Sequence, residues 1–243
     1  MLYDLTFRTN NLTLPLAHQH KVQGMIYSLM SACPEYSSFV HDQGFYMDRG
    51  AHFKLFTFSQ LTGPHIIRGD TIIFPKHVSL ALRTADPVFG AILNEVLRPG
   101  LLCGLGAQKI VLSKVHQEVL RLDSSCRQLK IRFLSPITVC KTFPDRHTHY
   151  YNPLDDEFSR LVNANYHRKW ESATGEVPED NVELIALSVG RGNKVVTRIK
   201  GTIINAWGGT YLLKGSPRAM EFLYHTGLGT KNSMGFGAFE ILR

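Results

Sequence analysis

Three side chains near the start of the chain have the chemistry for proton transfer and charge stabilisation: Tyr27, His41 and Lys54. An imidazole has an unperturbed pKa of about 6.5, so His41 can accept or release a proton near neutrality. The ammonium of Lys54 can stabilise a developing anion. Each residue also has an ordinary interpretation: a tyrosine at the core edge, a surface histidine and an edge-strand lysine that discourages aggregation.

A second feature is the glycine-rich run GLGTKNSMGFGAFEIL, which occupies residues 227–242. Glycine loses more backbone entropy on folding than any other residue and has no side chain to pack. A cluster of glycines therefore indicates tight turns, or a backbone that a ligand approaches closely.

The charge balance favours a polyanionic partner. Lys and Arg outnumber Asp and Glu by 27 to 20, which gives a net charge of +7 and a pI near 9.3. Hydrophobic residues make up 44% of the 243 residues and charged residues 19%, as in a packed globular protein rather than a disordered one.

Metal and disulfide chemistry find little support in the sequence. The 4 cysteines lie far apart without a CxxC pair, and they are expected to be reduced thiols. Two HxH pairs, at residues 18–20 and 147–149, lack a recognisable set of further ligands. Neither a secretory leader nor an apolar run long enough to span a membrane is visible, so we expect a cytoplasmic protein. Since no ligand set is recognisable, we expect no cofactor or metal.

Hydrophobic periodicity organises the first half of the chain as strands and helices. Residues 2–8 alternate as a strand, and apolar residues at helical spacing predict a helix over 18–33, followed by a short helix from Pro34 to about His41. Tyr27 falls on the flank of the first helix, outside its apolar stripe. Strands are predicted at 53–61, 66–74, 78–83 and 110–120, with a helix at 86–97.

The second half nearly repeats this order. Strands are predicted at 129–141, 182–189, 195–206 and 238–242, and helices at 155–172 and 216–226. The last helix has Ser216 as N-cap, Pro217 as first residue and Gly227 at its C-terminal end. We therefore predict an α+β protein of two tandem ferredoxin-like (RRM-like, βαββαβ) domains, residues 1–122 and 123–243, joined by a polar linker.

The ordered motifs of the chain resemble those of a known family. GLGTKNSMGFG matches the pattern G-h-G-x-x-x-x-x-G-h-G (h, apolar) of the glycine-rich loop in the RAMP superfamily. HQHKVQGMIYSLMSACPEYSSFVHDQGF is similar to that family's first helix and the turn after it, and KLFTFSQL to its following strand. Within the superfamily the chain resembles the CRISPR repeat-processing endoribonucleases, which cut the long CRISPR transcript inside each repeat without a metal ion.

This resemblance implies roles for the three reactive residues. The 2′-hydroxyl next to the cut attacks phosphorus and expels the 5′-oxygen, which leaves a 2′,3′-cyclic phosphate and a 5′-hydroxyl end. His41 would protonate the departing oxygen, and Lys54 would stabilise charge on the phosphorane. Tyr27 would orient or deprotonate the 2′-hydroxyl, and the sequence leaves these two roles open.

The resemblance also implies that the glycine-rich loop binds repeat RNA, with backbone amides and Lys231 against phosphates. A simple turn needs fewer glycines than this run has, which favours the binding role. The residues implied in RNA binding are Gly227, Gly229, Lys231, Asn232, Ser233, Gly235 and Gly237. The sequence leaves open whether the protein joins an effector complex or forms a homodimer.

Two alternatives from other classes stay open at this level: a catalytically inactive RAMP subunit that holds guide RNA in an effector complex, and a metal-dependent phosphohydrolase.

Two basic groups are equally compatible with an RNA face and a solvated face. They are Lys194, Arg198 and Lys200 near Arg191, and Arg127, Lys130 and Arg132.

Overall fold

The computed structural model describes residues 1–39, 44–46, 52–199 and 201–242 of the chain. His41 and Lys200 lie outside the described residues, as do the side chains of residues 46 and 52. The described chain is an α+β protein built from antiparallel sheets and helices.

The elements alternate along the chain in two similar series. The strands of the first series are β1 (Leu2–Arg8), β2 (Leu12–Pro15), β3 (Phe45–Tyr46), β4 (His52–Phe53), β5 (Phe56–Phe58), β6 (Ile66–Arg68), β7 (Thr71–Phe74), β8 (His77–Thr84), β9 (Leu102–Leu105) and β10 (Gln108–Glu118). Its helices are α1 (Gln19–Met30), α2 (Pro34–Ser38) and α3 (Pro87–Val96).

The second series begins at residue 128. Its strands are β11 (Gln128–Phe133), β12 (Cys140–Thr142), β13 (Thr148–Tyr150), β14 (Glu183–Ser188), β15 (Lys194–Ile199), β16 (Thr202–Trp207), β17 (Thr210–Lys214) and β18 (Phe239–Ile241). Its helices are α4 (Asp156–Thr174) and α5 (Pro217–Thr226), and a 3₁₀ turn, Asn232–Met234, lies inside the glycine-rich run.

The two main sheets share one topology. In the first, the order is β5-β8-β1-β10-β9, and in the second it is β14-β17-β11-β18. If the four main strands of each unit are numbered by sequence, both sheets read 2-3-1-4, with β9 added at one edge of the first. This order, with a helix after the first and third strands, is the ferredoxin-like arrangement, so the chain contains two ferredoxin-like units in tandem.

Each unit has its own hydrophobic core. In the first, Ile26 of α1 and Phe89 of α3 pack with inward-facing residues of β1 and β8. In the second, Phe158 of α4 and Leu223 of α5 pack with Tyr211 and its neighbours in the sheet. The cores lie on either side of the boundary predicted at residue 122, and the division into independent domains stays a prediction.

Helix caps explain where two helices begin. Ser216 accepts a hydrogen bond from the amide of Ala219 at 3.1 Å and Pro217 follows it, which confirms the predicted start of α5. Asp86 caps α3 in the same way by accepting from the amide of Val88 at 2.8 Å.

Several predicted strands have different bounds. The stretch predicted as one strand at 195–206 is the hairpin β15-β16, which turns near Gly201 and forms a separate two-stranded sheet. The third strand of the second sheet is instead β17, which the sequence patterns did not predict. The strand predicted at 129–141 ends at Phe133, and residues 66–74 form the hairpin β6-β7.

Candidate active site

A cleft of about 970 Å³ lies between the two units. Phe53 and Lys54 contribute to it from the first unit. The rest of the wall comes from the second unit: the start of hairpin β12-β13 at residues 140–142, one side of α4, and residues 229–233 of the glycine-rich run.

The charge of this cleft has one sign. The basic side chains on its wall are Lys54, Lys141, Arg168, Lys169 and Lys231. Among the described residues that line it there is no Asp or Glu. A concave surface whose charged groups are all cations attracts a polyanion, such as the phosphate backbone of a nucleic acid, and raises its local concentration.

Tyr27 and Lys54, two of the three predicted reactive residues, are in direct contact. The ammonium of Lys54 donates to the phenol oxygen of Tyr27 at 2.8 Å, and Lys54 Nζ lies 5.1 Å from the centroid of the ring. The edge-to-face contact with Phe56, at 6.2 Å between centroids, fixes the ring of Tyr27 against the core. The fold therefore unites residues that are 27 positions apart in the sequence.

His41, the third predicted residue, lies outside the described residues, but the chain on both sides of it is described. The amide of Gly44 donates to the carbonyl of Phe39 at 2.7 Å. A Cβ placed on Gly44 would lie 3.7 Å from Cγ of Lys54. The described chain that follows the His41 segment thus packs directly beside Lys54.

The glycines of the loop are required by its own conformation. Gly227, Gly229, Gly235 and Gly237 all have positive φ, which side chains rarely adopt. At Gly229 a Cβ would also stand 2.5 Å from the carbonyl oxygen of Thr138. The inference that this number of glycines exceeds what a turn needs is therefore wrong, because this turn uses each of them.

Backbone hydrogen bonds narrow the part of the loop that can meet a ligand. The amides of Gly227, Gly235 and Gly237 donate to carbonyls within the second unit, at 2.7, 3.0 and 3.0 Å. Only residues 229–233 of the loop line the cleft. This segment contains Gly229, Lys231, Asn232 and Ser233 of the predicted RNA-binding residues.

The side chain of Asn232, one of the predicted RNA-binding residues, makes hydrogen bonds within the loop and to α4. It is buried, and its Nδ2 donates to the carbonyls of Leu228 and Phe236 at 2.9 and 3.0 Å. Its Oδ1 accepts from Lys169 Nζ at 2.6 Å. Because both partners of Nδ2 are acceptors, the orientation of the amide is determined, and the Asn232 side chain holds the loop together.

Lys169 of α4 completes this network, and sequence reasoning missed it. It is only 2% exposed, and its Nζ also donates to the carbonyl of Gly227 at 2.8 Å. Burial lowers the pKa of Lys169 to about 7, because desolvation disfavours the charged form. A signal was present: Phe158, Val162 and Lys169 share the buried stripe of α4, where a lysine is out of place.

The glycine-rich loop also makes hydrogen bonds to elements of the first unit that carry or adjoin Tyr27 and Lys54. Gln23 of α1 donates to the carbonyl of Ser233 at 2.8 Å, and Thr57 of β5 donates to the carbonyl of Phe236 at 3.1 Å. Both donors lie close in sequence to one of the predicted catalytic residues, Tyr27 or Lys54. The loop and Lys54 line one cleft, and Tyr27 is bonded to Lys54.

The described chain offers neither a ligand set for a metal ion nor a helix that could span a membrane. Within the described ranges, no three His, Cys, Asp or Glu side chains gather as metal ligands would, and this includes both HxH pairs. None of the helices in the described part of the chain is long and apolar enough to cross a membrane.

The fold and the cleft together define a class: a tandem ferredoxin-like protein with a cationic site for a polyanion. The family model described as CRISPR associated protein Cas6, C-terminal, matches residues 118–241, about half of the chain. The chain belongs to the Cas6 family.

Individual relatives extend the similarity to the first half. The CRISPR-associated endoribonuclease Cas6 1 of Methanocaldococcus jannaschii is 27% identical, with 98% of this chain and 91% of the relative covered. The CRISPR-associated endoribonuclease Cas6 of Pyrococcus furiosus is 25% identical, with 94% and 83% covered. A solved structure of a CRISPR associated protein Cas6 superposes with a TM-score of 0.76 at 24% identity, over 100% of this chain and 99% of the other, which is a similarity of fold.

Proposed function

We propose that this protein is an endoribonuclease that cuts CRISPR precursor RNA within its repeats and so releases guide RNAs. The observation that carries the proposal is the contact between Lys54 and Tyr27 at the cationic cleft, 2.8 Å from nitrogen to oxygen. The relatives named as CRISPR-associated endoribonucleases, which this chain matches over most of its length, support the same activity.

The proposed reaction uses the RNA's own 2′-hydroxyl as nucleophile. Its oxygen forms a bond to the adjacent phosphorus while the bond from phosphorus to the 5′-oxygen breaks, leaving a 2′,3′-cyclic phosphate and a 5′-hydroxyl. Tyr27 would orient or deprotonate the 2′-hydroxyl, and Lys54 would offset the charge that develops on the phosphoryl oxygens. His41 would give a proton to the leaving oxygen.

The second unit would hold the RNA during this reaction. Residues 229–233 and the exposed cation Arg168 lie on the wall where phosphates would run. Because these contacts exist before and during the reaction, they contribute to affinity more than to rate. We further propose that the protein acts in the cytoplasm and has subunits of an effector complex among its partners.

The experiment that tests this function is incubation of the protein with its host's repeat RNA in EDTA, with mapping of the cut and its end groups. We expect one cut per repeat, a 2′,3′-cyclic phosphate and a 5′-hydroxyl. Activity restored only by a divalent ion would point to a metal-dependent phosphohydrolase. Binding without any cut, with or without metal, would point to an RNA-holding subunit.

A further inference from the structure

The hairpin β12-β13 carries the cleft wall outward to an exposed turn. Cys140, Lys141 and Thr142 of β12 line the cleft. Beyond them the turn is closed by backbone hydrogen bonds from Phe143 to His147 at 2.8 Å and from Arg146 back to Phe143 at 2.9 Å. The turn is therefore ordered by its own bonds at the mouth of the cleft.

This turn displays two aromatic rings side by side. The rings of Phe143 and His147 are inclined by only 24°, with centroids 6.3 Å apart, and both residues are exposed. Lys141 Nζ lies 5.3 Å from the centroid of Phe143. A single exposed apolar residue is ordinary, but a nearly parallel ring pair with a cation is the arrangement on which nucleotides bind.

We propose that Phe143 and His147 form a stacking platform for an unpaired nucleotide of the RNA, next to the segment held in the cleft. The proposal rests on the proposed function, since it extends the same RNA path. An unpaired base can lie on the ring of Phe143. Lys141 and the exposed Arg146 stand where the flanking phosphates would pass.

The charge around the rings favours RNA over a protein partner. Lys141, Arg146 and the cleft beyond them are cationic, and Asp145, the acid of this turn, accepts a hydrogen bond from the amide of His147 at 3.0 Å. A polyanion with flat bases satisfies both the charge and the rings.

The test compares Phe143→Ala with the wild type in binding of the repeat RNA. Loss of one stacked base is expected to weaken binding about fivefold to a hundredfold. The slope of log K against log salt should stay unchanged, because no charge is removed. Phe143→Tyr keeps a ring and should restore affinity. Leu154→Ala, at a side chain 71% exposed in the same unit, is the matched control and should bind as wild type.

The stacked nucleotide can be located by placing 2-aminopurine at successive positions of the RNA. We expect quenched emission at one position with wild type and its recovery with Phe143→Ala. The platform would be overturned if folded Phe143→Ala bound RNA as tightly as wild type, or if Leu154→Ala lost as much affinity as Phe143→Ala. In either case, cleavage of the RNA by wild type would leave the proposed function intact. If wild type does not cut the RNA but the Phe143-dependent quenching is present, the platform stands and the nuclease proposal fails.

Discussion

Lys54 and Lys169 line the same cleft but are held in opposite ways. Lys54, from the first unit, is half-buried and donates to the phenol of Tyr27. Lys169, from the second unit, is buried and donates to the carbonyl of Gly227 and to the side-chain oxygen Oδ1 of Asn232. In the proposed function Lys54 contacts the substrate, whereas Lys169 fixes the loop beside it.

The comparison extends to the two units. Both sheets have the same strand order, yet the first unit presents Tyr27 and Lys54 while the second presents the loop and most of the cations. In the proposed function the same fold carries chemistry on one copy and binding on the other, because function depends on the residues placed at its edges. Substitutions confined to one unit should therefore change rate or affinity separately.

The largest expected effect belongs to the first unit. If His41 is the general acid, His41→Ala should slow single-turnover cleavage roughly a hundredfold to ten-thousandfold, while the dissociation constant stays almost unchanged. The pH profile should lose a limb near neutrality. His65→Ala, at an exposed histidine of the same unit, is the control. Equal rates for His41→Ala and wild type would contradict the assignment.

In the second unit, Gly229→Val should weaken RNA binding more than it slows the cleavage of bound RNA. The side chain meets the Thr138 carbonyl at positive φ, a strain of about 1–3 kcal/mol that displaces the loop. Gly192→Val is the control, because a Cβ there meets nothing within 4 Å. Titration of both folded variants with RNA measures the effect. Unchanged affinity of Gly229→Val would mean that the loop only joins α5 to β18 and does not bind RNA.

Sequence patterns predicted what local chemistry determines and missed what depends on distant partners. The start of α5 follows from Ser216 and Pro217, so it was predicted correctly. Strand β17 is short and lies between two glycine-rich turns, and its pairing with β11 and β14 decides its structure. The bond between Lys169 and Asn232 joins residues 63 positions apart, and no local pattern identifies such a pair.

Lys169→Met should change how stability depends on pH. The pKa of Lys169 is lowered to about 7 in the folded protein, whereas the unfolded chain keeps the usual value near 10.5. Between these values the unfolded chain binds more protons, so this residue makes the free energy of unfolding rise with pH. Urea unfolding measures this, and the free energy of unfolding of wild type relative to that of the variant should be higher at pH 8.5 than at pH 6.5. An equal difference at both pH values would contradict the lowered pKa.

The smallest expected effect concerns Lys231, on the part of the loop that lines the cleft. Lys231→Ala removes one cation from the RNA path, so the slope of log K against log salt should fall by less than about 1. The rate of cleavage once RNA is bound should change little. Filter binding at several salt concentrations measures the slope, and a large loss of rate at saturating protein would instead put Lys231 in the reaction.

The most direct test of the account changes the RNA rather than the protein. A repeat RNA with 2′-deoxy at the nucleotide before the cut lacks the proposed nucleophile but keeps every phosphate that the second unit would bind. Measured in EDTA, its affinity should equal that of the unmodified RNA and its cleavage should be abolished. Cleavage of this RNA at the same position would contradict attack by the 2′-hydroxyl.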